Sequence, residues 1–207
     1  MNAPKAVVYI VEDDPSFRKS MERLIGASGY EVVAFESANP FLAQATIRHP
    51  ACLLLDVKLP DIDGLRLQQE LVEKGIHLPI IFMTGHGTIP MSVQAMKGGA
   101  VDFLPKPFKA EDLLSALVKA LDRDTHDVQE EIEKKKITAF MDALTPRERE
   151  VLRWVITGKL NKQIALALGT KEKTIRVHRS RLMQKTKASS VAELIRLAEK
   201  VNISPAE

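Results

Sequence analysis

The residue types in this chain that could do chemistry stand far apart, and each follows an apolar run. Asp56 ends ACLLLD, Glu12 and Asp13 follow AVVYIV directly, Thr84 ends PIIFMT, and Lys106 comes just after VDFLP. Taken singly, each has an ordinary explanation: Asp is common in turns, acids after a strand often open a helix, and a surface lysine needs no purpose. Taken together they are carboxylates, a hydroxyl and an ammonium, all at the ends of strand-like segments. A cluster of carboxylates at one edge repels itself unless a hard cation neutralises it, and Mg2+ suits such oxygen ligands. The set fits a phosphoryl group carried on Asp56, with Mg2+ and Lys106 neutralising its oxygens and Thr84 donating a hydrogen bond.

These residues meet only if the segments before them lie side by side. Strand-like runs at 6–11, 31–35, 52–56, 79–84 and 101–105 alternate with helix-like stretches at 16–28, 39–48, 64–74, 90–97 and 110–123. A strictly alternating βα order over about 120 residues predicts a doubly wound parallel sheet, a (βα)5 domain. In such a sheet the carboxyl ends of the strands share one edge, where open α/β folds keep their sites. The run before Asp56 is apolar throughout, as expected for a strand buried on both faces.

The chain carries 30 Lys/Arg and 27 Asp/Glu, but the charge is divided unevenly. Residues 1–124 hold 13 Lys/Arg against 16 Asp/Glu, a net −3, and residues 145–207 hold 14 against 6, a net +8. An acidic front and a basic back predict two domains with different partners, the second a polyanion. No apolar run reaches the length of a membrane span, and the N-terminus lacks a signal-peptide pattern. The single cysteine, Cys52, sits within a strand-like run as core filler and fits a reducing cytoplasm. The five histidines show no metal-ligand spacing.

Between the halves, residues 124–142 are polar and free of Pro and Gly, which predicts a helical linker continuing the fifth helix. Beyond it, Thr145, Pro146 and Glu148 have the pattern of a capped helix start. Helices are expected at 146–157, 161–168, 171–185 and 191–201, an all-α domain of four helices over residues 143–207. The segment 161–185 reads as a helix-turn-helix: NKQIALAL, a turn at GTKEK, then a second helix with basic residues between its apolar anchors. A basic face on that helix is what docking in a DNA major groove requires. A solvated helix face is the alternative for any charge run.

VEDDPSFR, LLLDVKLPDIDG, MTGHG and AVDFLPKPF together resemble the receiver domains of bacterial two-component response regulators, over nearly all of residues 5–123. LTPREREVL and NKQIALALGTKEKTIRVHRSRLMQK resemble the LuxR-type DNA-binding domain, and the pairing resembles the FixJ/NarL regulators, nearer FixJ. The resemblance implies that Asp56 accepts phosphate from a sensor histidine kinase. It implies Mg2+ held by Glu12 (through water), Asp13, Asp56 and the Lys58 carbonyl, with Asp14 a flanking third acid. Thr84 and Phe103 match a switch pair, and Lys106 the phosphate-binding lysine, before a cis Pro107. It further implies a dimer on phosphorylation through the face near Val93, Lys97 and Val101, and dimer contacts from 191–201. Promoter DNA is the implied target, with RNA polymerase as a further partner. Lys171 to Lys185 becomes the recognition helix. On it Arg176, Val177 and Ser180 face base edges, while Arg179, Arg181 and Lys185 reach phosphates. Lys171 and Thr174 join that interface, with Asn161 and Lys162 from the preceding helix.

Three other functions fit parts of this pattern. A phosphatase of the haloacid dehalogenase type also uses an aspartate after a strand, but needs a second Asp two positions on, where this chain has Lys58. That speaks against an enzyme acting on an external substrate. A phosphorylation-independent DNA-binding protein is countered by the full set of Asp13, Asp56, Thr84 and Lys106. A receiver-controlled protein-interaction module is separated from a transcription factor by salt-titrated DNA binding.

Overall fold

A computed structural model of the chain describes residues 5–44, 46–85 and 88–206. The chain divides into two compact units, residues 1–128 and 129–207.

In the first unit, β1 (Val7–Val11), β2 (Glu31–Phe35), β3 (Ala51–Asp56), β4 (Ile80–Thr84) and β5 (Asp102–Pro105) form one parallel sheet in the order β2-β1-β3-β4-β5. The helices between them are α1 (Pro15–Ala27), α2 (Ala38–Gln44), α3 (Gly64–Glu73), α4 (Ile89–Lys97) and α5 (Ala110–Asp142). The doubly wound sheet expected from the alternation is present. Side chains of a strand alternate between its faces. Tyr9, Leu53, Leu55 and Phe82 therefore pack with Phe41, Leu67 and Leu71 from α2 and α3. Ile10, Leu54, Ile81 and Met83 pack with Ile25 of α1 and Leu113 and Leu117 of α5. Both faces are covered, which is why β1, β3 and β4 read as unbroken apolar runs.

The second helix is shorter than its sequence predicts. It ends at Gln44 rather than near residue 48, because the Tyr9 hydroxyl donates to the Thr46 carbonyl at 2.8 Å and accepts from Arg48 N at 3.1 Å. Those bonds draw the chain toward β1, ahead of a cis His49–Pro50 bond.

Helix α5 continues to Asp142, through the whole segment expected as linker. That segment is apportioned between the units. Asp124 is buried in the first, accepting from Ala51 N at 2.8 Å with His49 Nδ1 also 2.8 Å away. Ile137 and Met141 are buried in the core of the second, while Ile132, between Asp124 and Ile137 in the chain, is 42% exposed.

The second unit adds α6 (Pro146–Val155), α7 (Asn161–Ala167), α8 (Glu172–Thr186) and α9 (Val191–Lys200) around Val151, Leu152, Ile164, Ile175, Leu182 and Leu194. Thr145 and Glu148 form a reciprocal capping box at the start of α6. Arginines cover loose carbonyls at two helix ends: Arg149 donates to Met141 O at 3.0 Å and Arg147 to Leu168 O at 3.1 Å. Among the described residues no helix is long and apolar enough to cross a membrane.

Candidate functional site

Parallel pairing in register fixes where the chemical residues fall. Val11 is opposite Leu55 and Asp56 opposite Met83, so Glu12, Asp56 and Thr84 emerge together at the carboxyl edge, with Lys106 beyond β5. Lys106 Nζ donates to Asp56 Oδ2 and to Glu12 Oε2, each at 2.6 Å, and lies 4.2 Å from the centre of the Phe17 ring. The bond from Lys106 to Pro107 is cis, and Lys106 N donates to Thr84 O at 2.7 Å. Lys58 N donates to Asp56 Oδ1 at 3.0 Å, holding one carboxylate oxygen while the lysine holds the other.

Carboxylate oxygens of Glu12, Asp13 and Asp56 lie within 4.8 Å of one another. Glu12 and Asp56 are buried and Asp13 exposed, so the cluster has a solvent-facing side. Burial pushes Glu12 up to about 7, and the nearby Asp56 charge adds to this against the bond from Lys106. Burial alone would lower the Lys106 ammonium, but its bonds to Asp56 and Glu12 outweigh that and raise it. An oxygen-only set of three acids open on one side has the chemistry of a Mg2+ site.

Thr84 is buried beneath this edge, and Phe103 is half-buried with its ring 6.2 Å from Phe82. Asp14 is not a further acid of the cluster: it is the N-cap of α1, accepting from Ser16 N at 2.8 Å and Phe17 N at 2.9 Å. Those bonds hold its carboxyl below the usual range. Three supporting residues are not among those the sequence pattern singles out. Arg18 Nη1 donates to Glu12 O at 2.6 Å, pinning the acidic loop from the first turn of α1. Asp61 accepts from Ala38 N and Asn39 N at 3.2 and 2.7 Å, joining the loop after β3 to the start of α2. Gly64 approaches the Asp56 backbone so closely that a Cβ there would collide with the Asp56 carbonyl oxygen. Only the DG pair at 63–64 carried a visible signal, that of a turn.

Of the residues implied for the dimer face, Val93 is 46% exposed and shares a helix face with Ile89 and Met96, at 81% and 48%. Lys97 is exposed, and Val101 is half-buried against the core beside α5.

In the second unit, α8 spans Glu172–Thr186 with Lys171 at its N-cap and Lys187 in the left-handed conformation after its end. Arg176, Val177, Ser180 and Arg181 are exposed on it, as are Lys171 and, on α7, Lys162. Arg176 lies 3.4 Å from Glu172 one turn earlier. Thr174 is half-buried, and Arg179 Nη1 donates to Asn161 Oδ1 at 2.9 Å, so these two expected DNA contacts brace each other across the turn. Lys185 differs from its expected place among phosphate contacts. Its ammonium donates to the buried Glu148 at 2.7 Å and to Ala143 O at 3.1 Å, because a buried carboxylate requires a partner. That pairing holds Glu148 down to about 2.

A parallel sheet with an acid cluster and a lysine at its carboxyl edge, and a helix-turn-helix unit with exposed cations, define a class. Residues 8–118 match the response regulator receiver domain, and residues 142–198 match the LuxR family of bacterial regulatory proteins. The chain belongs to the two-component response regulators of the FixJ/NarL family, transcription regulators that bind DNA. Over 97% of its length it is 47% identical to nodulation protein W of Bradyrhizobium diazoefficiens, covering 88% of that protein. It is 42% identical to the response regulator protein TmoT of Ectopseudomonas mendocina, over 99% of this chain and 93% of that one. Among solved structures it is similar to the response regulator StyR, with a TM-score of 0.83 and 40% identity over 95% of this chain and all 100% of the other. Full-length FixJ from B. japonicum gives a TM-score of 0.58 at 35% identity, over 97% and 99% of the two chains.

Proposed function

We propose that this regulator is switched by Mg2+-dependent phosphorylation of Asp56, and that the phosphorylated form dimerises and reads promoter DNA. The observation that carries the reading is Lys106 Nζ bridging Asp56 and Glu12 at 2.6 Å, with Asp13 alongside. An Asp56 carboxylate oxygen attacks the phosphorus of a phosphohistidine on the sensor kinase. The phosphorus–nitrogen bond breaks, and the imidazole leaves with a proton. Glu12, Asp13, Asp56 and the Lys58 carbonyl would hold the cation, which supplies charge neutralisation to the phosphoryl oxygens. Lys106 trades its carboxylate partner for one such oxygen, and the Thr84 hydroxyl donates to another. Phe103 then turns inward behind Thr84.

The same proposal assigns residues 1–123 to the receiver, 124–142 to the joining helix and 143–207 to the reader. The chain turns over no external substrate, acts in the cytoplasm, and reaches RNA polymerase at the promoter. Its active dimer forms through the face of Val93 and Lys97, beside Val101. Arg176, Val177 and Ser180 read bases, and Lys162, Lys171 and Arg181 contact phosphates. Arg179, Asn161 and Thr174 shape the interface, and Lys185 braces it.

Acetyl phosphate tests the proposal directly. With Mg2+, intact mass should show one phosphoryl group per chain, light scattering should show a monomer becoming a dimer, and affinity for promoter DNA should rise. A mass that stays monomeric at tens of micromolar, an order-of-magnitude choice typical of weak interfaces, sinks the dimer mechanism. Labelling that proceeds equally in EDTA sinks the Mg2+ site.

A further inference from the structure

Helix α4 meets the core through Ala95 and, in its first turn, the half-buried Met91. Ala95 is its buried residue, whereas Ile89, Val93 and Met96 are 81%, 46% and 48% exposed. Thr88, at the N-cap, makes no side-chain capping bond. The other end closes in a Schellman motif: Gly99, with φ 92°, donates to Met96 O at 3.0 Å, and Ala100 N to Ala95 O at 3.1 Å. The Ala95 carbonyl takes a second donor, Gln68 Nε2 of α3, at 3.2 Å.

Gln68 is 4% exposed, and a buried amide is costly unless it is hydrogen-bonded. Its place depends on a neighbour. A Cβ at position 98 would lie 2.5 Å from Gln68 Oε1 and 2.9 Å from its Nε2. Gly98 has an ordinary φ of −73°, so what glycine supplies here is space for the amide and not backbone freedom.

We propose that Gln68, admitted by Gly98, is a positioning residue that ties α4 to α3 in the resting protein and sets how readily Asp56 is phosphorylated. The inference rests on the reading of Asp56 as phosphoacceptor. Helix α4 is the element that follows Thr84 in the chain, so a rearrangement at Thr84 acts on α4. A tie present only in the resting arrangement biases the equilibrium against the phosphorylated one, and linkage makes the effect reciprocal. Loosening it therefore speeds labelling and raises DNA affinity before any phosphate arrives.

The test uses full-length protein carrying Gln68→Ala, Gly98→Ala or both. Without phosphodonor, amide exchange over residues 89–100 should quicken by roughly five- to tenfold in each single variant, the loss of one hydrogen bond, with the sheet unchanged. The double variant should match Gln68→Ala, since removing the amide makes room for the new methyl. With acetyl phosphate and Mg2+, Gln68→Ala should label several-fold faster than wild type, and its unphosphorylated form should bind DNA more tightly. Unchanged exchange in Gln68→Ala, or additive effects in the double variant, overturns the tie. Faster exchange with unaltered labelling and DNA binding makes Gln68 a structural residue only and overturns its positioning role. Failure of the phosphoacceptor reading shows separately, as wild-type protein that takes no label, while exchange and basal DNA binding still decide the tie.

Discussion

The two charged regions of this molecule are built in opposite ways. At the sheet edge the charges come from three separate strand ends and are turned on one another, Lys106 lying between the buried Asp56 and Glu12. On α8 they come from one continuous stretch, and Arg176 and Arg181 stand exposed to solvent. A converging site can bind a small dianion with each group placed, and it loses function abruptly when one member goes. A row of exposed cations on one helix loses affinity a contact at a time. The difference predicts steep, selective consequences in the first unit and graded ones in the second.

The steepest consequence is at Asp56. Asp56→Asn should remove the phosphoryl adduct seen by intact mass, because no carboxylate oxygen remains to attack phosphorus. Asp13→Ala should weaken labelling strongly while leaving the fold in place, since Asp13 is exposed and packs against nothing in the core. Full-stoichiometry labelling of Asp56→Asn would overturn the assignment.

Arg176 is the next largest. A bidentate arginine–guanine pair is worth about 1–3 kcal/mol of discrimination, so Arg176→Ala should weaken the cognate site by that amount and relax preference at one base pair. Selection from a random DNA pool measures it, and an unchanged motif would show that Arg176 does not read a base. The surrounding ion pair with Glu172 at 3.4 Å is exposed and holds the side chain only loosely.

Glu148 gives the second unit one feature of the first: a buried carboxylate with a lysine partner. The Lys185 bond, then the Thr145 backbone bond, bring it from 4.5 to about 2. A carboxylate lowered on folding contributes its stability above the unfolded value and loses it as pH falls through the folded one. Stability of the second unit should therefore drop between pH 4.5 and about 2 by about 1–2 kcal/mol after allowance for screening. Trp154 is the chain's single tryptophan and lies in this unit, so its fluorescence follows the transition. Glu148→Gln should flatten that pH dependence; an unaltered acid transition would mean the pair contributes nothing.

The two regions also differed in how far the sequence revealed them. The acids, Thr84 and Lys106 were visible because parallel strands must end at one edge, so strand order alone brought them together. Their supports were not: Arg18 reaches back to Glu12 through a helix turn, and Gly64 matters only through a close approach to Asp56 that no local pattern announces. The capped start at Thr145 is a local motif and was legible in full. Lys185 was not, since a lysine on a basic helix looks the same whether it meets a phosphate or a buried Glu148 from another helix. The segment 124–142 was legible as helix, but its polarity concealed that Asp124 is buried in one unit and Met141 in the other. Burial of a polar residue depends on partners distant in sequence, here Ala51 and His49 for Asp124.

The smallest effect expected separates the two kinds of cation on α8 itself. Arg181 is exposed, and a phosphate contact from it releases about one counterion. Arg181→Ala should therefore weaken cognate and random DNA alike, and reduce the slope of log K against log salt by about 0.9. Lys185 stands one turn further along with the same charge, yet its ammonium already has the Glu148 carboxylate at 2.7 Å and the Ala143 carbonyl at 3.1 Å. Drawing it to a phosphate would leave the buried Glu148 carboxylate with its Thr145 bond but no cationic partner, a larger cost than one screened contact returns. Lys185→Ala should thus leave the salt slope as it is while lowering the thermal stability followed at Trp154. Salt titrations of both variants on the same DNA decide the matter. Equal slope changes would mean that Lys185 abandons Glu148 on binding, and that the pair joining α8 to α6 does not persist on DNA as the ion pairs at the sheet edge are held together.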